Sequence, residues 1–442
     1  MKKCLQKLLI TKEFSLVEEL LKRQSYDIAI EMKEFSHKDQ VSLMACFPVE
    51  KGAKILSYLT PEDQYNIYTK IPDDKGKLLL ARQSIDDLVN VILAIHPLQA
   101  EKLIQILPEE YQQKIKDLMA FSPETAGGLM TIDYIAARKN WKVKETLAHI
   151  RKIGARVESI SYIYVLDTHG LLNGIVSIRE LLLAEEEATL STIMTIDVIS
   201  VPVELNQKEV VQKLMNYDLS AIPVTTMDNR MIGIITFDDA MDVFEEEATE
   251  DIQKLGGSKP LDKPYFETSI WHIYRKRIGW LLLLFVAEAY TGSVLRYYEE
   301  TLTQVVALAF FIPLLIGTGG NTGTQVVTTL VRAVALNEVK FTDTFRVMKK
   351  EALVGILLGL TLAIAALIRA YTLGVGTEIA QVVAITGLFV VIWSSIVSAV
   401  LPLIINRLKL DPAVISGPFI TTLVDGTGLI LYFSIAKLLL DI

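Results

Sequence analysis

Apolar and polar positions are spread so unevenly along this chain that it divides near Trp271. Before that point apolar residues recur in short amphipathic bursts. After it they gather into runs long enough to cross a bilayer. Five such runs are expected, at about Ile278–Leu295, Thr303–Ala335, Ala352–Tyr371, Ile379–Ile405 and Pro412–Leu440, the second with a break inside. Basic residues alternate between their ends. Arg275, Lys276 and Arg277 precede the first run, Arg346, Lys349 and Lys350 follow the second, and Arg407 and Lys409 follow the fourth. The positive-inside rule then predicts a cytosolic N-terminus and an extracytoplasmic C-terminus.

The first half carries two repeats. From Phe47 to about Met119, Pro48, Pro61, Pro72, Pro97 and Pro108 each open a short amphipathic stretch, with Ser84 at the missing beat. Proline is tolerated in a helical first turn, so the pattern predicts short helices stacked into a small superhelix. Acids follow these starts, among them Asp86 and Asp87, where they complement the helix dipole. The second repeat is sharper. MTID occurs at 130–133 and 194–197. Behind each copy come a helix (Val143–Ile153; Lys208–Tyr217), a strand (Ile163–Val165; Ile222–Val224), a turn, and a second strand stepping into a helix, in GIVSIRE and GIITFDD. This is a tandem β-α-β-β-α unit. Gly256, Gly257, Pro260 and Pro264 then mark a linker.

Composition sharpens this division. Of 442 residues, 51% are hydrophobic and the net charge is −8, with the acidic excess lying entirely before Trp271. An acidic soluble half disfavours nucleic acid and attracts cations. The opening MKKCLQKLLITKEF has too short an apolar stretch for a signal peptide. Cys4 and Cys46 have no metal-ligand spacing, and the five His are scattered, which argues against a transition-metal site. No nucleophile–base constellation or ATP-hydrolysis motif is present, so an enzyme is not expected.

Two segments of the hydrophobic half carry chemistry. In IPLLIGTGGNTGTQVVTTLVRA (312–333), Gly317, Gly319, Gly320 and Gly323 with Asn321 predict a broken helix, whose freed backbone groups must line water; close helix packing through small residues is the other reading. In the last run Asp425 sits deep among apolar residues, where a carboxylate costs at least about 2.5–3.5 kcal/mol unless paired or wet. Along a helix it would lie roughly 20 Å from Asp411. Thr421, Asp425, Gly428 and Tyr432 share one face, with Asp411 near it, and read as a cation path. Arg332 or Arg369 could instead pair with Asp425, and Glu288 could face lipid or a second subunit. One Asp per chain is too few for a divalent cation, whereas a two-fold dimer supplies two carboxylates, and magnesium keeps much of its water shell.

The tandem unit resembles a pair of cystathionine-β-synthase-type (CBS) domains. With AGGLMT at 126–131, GTGGNTGTQ, DPAVISGP and TTLVDGTG in this order, the chain resembles the MgtE family of magnesium transporters and channels over nearly its whole length. The resemblance implies a helical N-domain (1–127), a first CBS domain (128–190), a second (191–250), a linker or plug helix (251–276) and an all-α membrane pore of five helices (277–442). It implies a homodimer in the inner membrane that imports Mg2+ down its gradient and closes when cytosolic Mg2+ is high. Asp425, with Thr421, Asn321 and Gly320, would form the pore site, and Asp411 the cytosolic mouth. Asp86, Asp218, Asp239, Asp242, Glu247 and Glu250 would bind regulatory Mg2+. Asn90, Asn206 and Lys208 depart from the acids common there. Tyr162 and Arg179 lie where related CBS pairs hold ATP, although Leu219 replaces an expected aromatic. A broader carrier of cobalt, nickel or manganese, or a membrane-tethered nucleotide sensor, are the competing readings.

Overall fold

The computed structural model describes every residue except 155–156, 263, 337, 409–410, 412–415 and 442. The chain forms two compact units, Met1–Glu245 and Glu246–Ile442, each described by itself.

The first unit opens with ten short helices, from Lys2–Thr11 to Glu109–Leu118. The proline beats of the sequence become their starts. Pro61 and Pro97 stand in the first turn, whereas Pro48, Pro72 and Pro108 are the residues just before it. Ser36 and Thr60 add side-chain caps, accepting from the backbone N–H of Asp39 and Asp63. None of these helices is longer than ten residues, so each depends on its neighbours to cover its apolar face. Leu43, Ile55, Ile67, Leu79 and Leu88, one from each of five successive helices, are fully buried in one continuous core.

The rest of the first unit holds two three-stranded sheets. β1 (Ile135–Ala137) runs parallel to β2 (Tyr162–Leu166), which pairs antiparallel with β3 (Leu172–Ser177). β4 (Val201–Pro202), β5 (Ala221–Thr225) and β6 (Met231–Thr236) repeat that order and sense. The two MTID segments are exchanged between the repeats. Thr131 bridges to Ile234 of β6, and Thr195 bridges to Ile175 of β3. Gly233 and Gly174 permit this, since a Cβ at either would stand about 2.8 Å from the sulfur of Met130 or Met194.

The helix Phe237–Leu255 leads into the second unit and is followed by Gly257, which adopts a left-handed φ of 73°. Five helical segments there are long and apolar enough to cross a membrane: Ile270–Tyr297, Val306–Ala335, Phe341–Leu373, Thr377–Arg407 and Gly417–Leu440. The expected start of the last, at Pro412, lies outside the described residues.

The second span differs from its expected form. An interruption is present at Val305, followed by a 3-10 turn over Val306–Phe311, but the glycine run lies inside one continuous helix, Ile312–Ala335. Packing explains why. A Cβ at Gly319 would meet Val390 and Val424 at 2.7–2.8 Å, and one at Gly323 would meet Ile420, Ser394 and Ser398 at 2.5–2.8 Å. The glycines give neighbouring spans close access, the small-residue reading of the motif. Thr318, Thr322, Thr324 and Thr328 each return their hydroxyl to the carbonyl four residues earlier, so their polar groups are satisfied within the helix. Ser394 donates to the Gly319 carbonyl at 2.6 Å and ties the second span to the fourth.

Candidate functional site

Three of the four pore candidates are placed around one line of contact. Gly320 of the second span lies against Thr421 of the fifth, where an added Cβ would come within 2.8 Å of Thr421 Cγ2. Asp425, one helical turn on from Thr421, is half-buried and makes no hydrogen bond or ion pair among the described residues. Neither Arg332 nor Arg369 reaches it. Asn321 points away from the bundle and is exposed, as are Gly317 and Gln325, four residues to either side. These three positions share one open face of the helix, on which Asn321 and Gln325 carry amide side chains. Gln325 was missed from sequence, although its i+4 spacing from Asn321 was the available signal. Glu288 of the first span is also exposed.

The expected polar stripe on the fifth span is shorter than its spacing suggested. Tyr432 is fully buried and donates its hydroxyl to the Leu308 carbonyl at 3.0 Å, so it closes the irregular turn before the second span. Gly428 is buried as well. Helical phase alone could not separate the arc facing sister helices from the arc left open. Asp411 lies outside the helix, which begins at Gly417, so the estimate of roughly 20 Å along a helix does not apply. Its carboxylate instead accepts from Lys254 Nζ at 2.7 Å, and the same ammonium pairs with Glu250 at 2.5 Å.

A second constellation lies within the first unit. Asp86 and Asp87 open the helix Ile85–Ala94, and Asp238, Asp239 and Asp242 open the helix Phe237–Leu255. The fold brings these two acidic starts together, with Glu158 beside them. Asp86 is 6% exposed, and its Oδ1 has no partner. Burial, then the charges of Asp239, Asp87 and Glu158, hold its carboxyl well above the ordinary range. Burial also raises Asp87, with Asp238 and Asp242 adding to the effect. The Asp239 carboxyl, which accepts from Thr236, is raised to about 6 mainly by burial. Glu158 is lifted to about 7 by burial and by Asp239, Asp87 and Asp238. The Thr131 side chain hydrogen-bonds the Asp86 carboxyl, and the buried Oδ1 left over among like charges fits a cation chemically. No three His, Cys, Asp or Glu side chains form a ready metal cage among the described residues, so water would have to complete the shell of any ion there.

Sequence reasoning missed Glu158 because it sits in a connection with no periodic pattern. The family resemblance groups Asp218 with the regulatory acids; that residue is exposed in a left-handed turn (φ 50°) with no bond to the cluster among the described residues. Asn206 caps the helix Gln207–Asn216 by accepting from the Lys208 backbone N–H at 3.0 Å. Asn90 is exposed one turn after Asp86, and Glu247 is half-buried further along its helix. Tyr162 packs beside Tyr164 and Leu172, and Arg179 is exposed in the helix after β3.

Comparison with known proteins joins these halves. Residues 23–124 match the MgtE intracellular N domain, 126–187 and 190–246 match CBS domains, and 312–435 match the MgtE divalent cation transporter domain. A magnesium transporter MgtE from Thermus thermophilus is 36% identical over 411 residues, covering 92% of this chain and 91% of its own. The chain belongs to the MgtE family. A second MgtE relative, the magnesium transporter of Bacillus subtilis, is 31% identical over 96% of this chain and 92% of its own. Among solved structures, the cytosolic domain of the Mg2+ channel MgtE in complex with ATP aligns over 55% of this chain and all of its own, at 30% identity and a TM-score of 0.52. The soluble part of a magnesium transporter aligns over 56% of this chain at 26% identity and a TM-score of 0.53.

Proposed function

We propose that this chain is a magnesium transporter of the inner membrane, acting as a homodimer with its N-terminus in the cytosol. The observation that carries the reading is Asp425, an unpaired carboxylate half-open in an apolar span, with Asn321 and Gln325 exposed on the neighbouring span. Polar groups at this depth need water, an ion or a second subunit. Two chains meeting along that face would place two Asp425 carboxylates across one path, with Asn321, Gly320 and Thr421 beside them. Magnesium is strongly hydrated, and a pair of carboxylates with amide and hydroxyl oxygens can hold it through its water shell.

Regulation belongs to the acidic cluster. Asp86 and Asp87 repel Asp238, Asp239 and Asp242 when no cation lies between them. Magnesium from the cytosol neutralises this repulsion and favours the closed arrangement of the N-domain against the second CBS domain. In the second unit Glu247, Glu250 and Asp411 are further candidates for regulatory magnesium, the last two sharing Lys254, and Asp218 is a candidate in the first. ATP is a second ligand on this reading, supported by the ATP-bound neighbour and by Tyr162 and Arg179 in the first CBS domain. Proteoliposomes holding a magnesium-sensitive dye test the main proposal. Wild type should admit magnesium in preference to cobalt, nickel and manganese, and Asp425→Ala should admit none. Equal flux through both proteins would overturn it.

A further inference from the structure

At the start of the first span, which the proposed function places on the cytosolic side, the second unit holds a cavity of about 420 Å³. Its wall includes Lys254, Lys259, Arg275, Lys276, Gly279 and Trp280. Four cations around one cavity are not explained by an ion path for magnesium, which they would repel. Two of them are already neutralised. Lys254 is shared by Glu250 and Asp411, and Lys276 pairs with Asp262 at 2.8 Å. Lys259 and Arg275 have no carboxylate partner among the described residues; Arg275 only lies over the Trp271 ring, 5.6 Å from its centroid. Both are exposed.

The floor of the cavity differs from its rim. Gly279 leaves the helix surface flat, since nothing lies within 4 Å of where its Cβ would be. The Trp280 indole lies beside it, anchored by a hydrogen bond from its ring N–H to Ser416 Oγ at 3.1 Å. Immediately beyond, Leu281, Leu282, Leu283 and Phe285 are all exposed apolar residues, as a bilayer-facing surface requires. The site thus reads from cationic to aromatic to aliphatic over a few residues, in the order of a phospholipid's phosphate, glycerol and acyl chains.

We propose that this cavity binds the phosphate headgroup of an anionic phospholipid, with Lys259 and Arg275 on the phosphate and Trp280 beneath the glycerol. A free phosphate shares the charge chemistry but leaves the apolar floor unused. Basic pockets at the cytosolic ends of spans attract anionic headgroups through local charge. Because the same cavity wall includes Lys254, a bound lipid would sit against the ion pair between Lys254 and Asp411.

The test is lipid retention by the delipidated full-length protein, read by native mass spectrometry. Phosphatidylglycerol should be retained over phosphatidylcholine, and Lys259→Gln with Arg275→Gln should lower that preference roughly tenfold or more. Lys259→Arg with Arg275→Lys should keep it, which preserves the test if the glutamine variant folds poorly. Excess glycerol phosphate should not displace the lipid. An unchanged preference in the glutamine variant, or its loss in the charge-preserving one, would overturn the site. Displacement by glycerol phosphate would overturn the lipid assignment and leave a free-anion site. None of these readouts depends on magnesium flux.

Discussion

At the scale of single residues, charge and partner decide what each candidate can do. Asp425 lies inside a span with no cation at hand among the described residues, as the proposed ion path requires. Asp411, an acid of the same motif, is already held by Lys254. Asp425→Asn keeps the shape and removes the charge. It should lower magnesium flux nearly as far as Asp425→Ala, while size-exclusion chromatography shows an unchanged assembly. Near-wild-type flux with the amide would mean that backbone and hydroxyl oxygens suffice. Asn90 and Lys208 pose the opposite question. An amide and an ammonium stand where carboxylates would strengthen cation binding. Changing Asn90 to Asp and Lys208 to Glu together should lower the magnesium concentration that protects the segment near Gly256 from protease. An unchanged protection curve in the folded variant would place both residues outside the metal sites.

At the scale of elements, two contacts between segments carry the argument. One is the crossing of the second span with the fourth and fifth at Gly323, where an added Cβ meets Ile420, Ser394 and Ser398. Gly323→Val should force these helices apart and destabilise the membrane unit by about 1–3 kcal/mol, the usual cost of overpacking. A lowered melting temperature in detergent would register it, and an unchanged one would mean the helices can shift freely. The other is the meeting of the Ile85–Ala94 helix with the start of Phe237–Leu255. Glu158 and Asp239 have folded-state values of about 7 and about 6, above those of free carboxyls. Folding this junction therefore takes up protons, so its stability is greatest at low pH and falls as pH rises through 6 and 7. Hydrogen exchange in the Ile85–Ala94 helix, corrected for intrinsic rate, should accelerate between pH 5.5 and 7.5 without magnesium. Added magnesium should suppress that acceleration and have little effect at pH 5. A flat profile would disconnect the acids from the junction.

At the scale of the whole molecule, the proposed path and the proposed control occupy different stretches of chain. Both pore segments follow Trp271, and the main acidic cluster precedes Glu246. Removing residues 1–260 should leave a membrane protein that still conducts magnesium and no longer closes when magnesium is high. Stopped-flow flux at low and high internal magnesium separates the two effects. A folded but inactive truncation would show that the cytosolic half helps to build the path. The inferred lipid site loses Lys254 and Lys259 in this truncation, so lipid preference should fall with it while Arg275 and Trp280 remain.

Much of this was present in the order of residues. Proline spacing located the short helices of the N-domain, because a ring that fixes φ and lacks an N–H belongs at a helix start. The duplicated MTID segments marked two sheets of equal topology, and apolar length marked five spans. The glycine run and Asp425 stood out chemically against apolar surroundings. What sequence could not contain was partner choice. It could not show that each MTID segment pairs with the other repeat's strand, since both strands present the same backbone hydrogen-bonding groups. Nor could it show whether the glycines break a helix or admit a neighbour, because either use removes the same Cβ. Tyr432 and Asp425 share a helical phase, yet only the packing of the irregular turn at Leu308 buries one and leaves the other open. Glu158 joined the acidic cluster for a similar reason. Its place depends on distant segments meeting, and local periodicity carries no record of that.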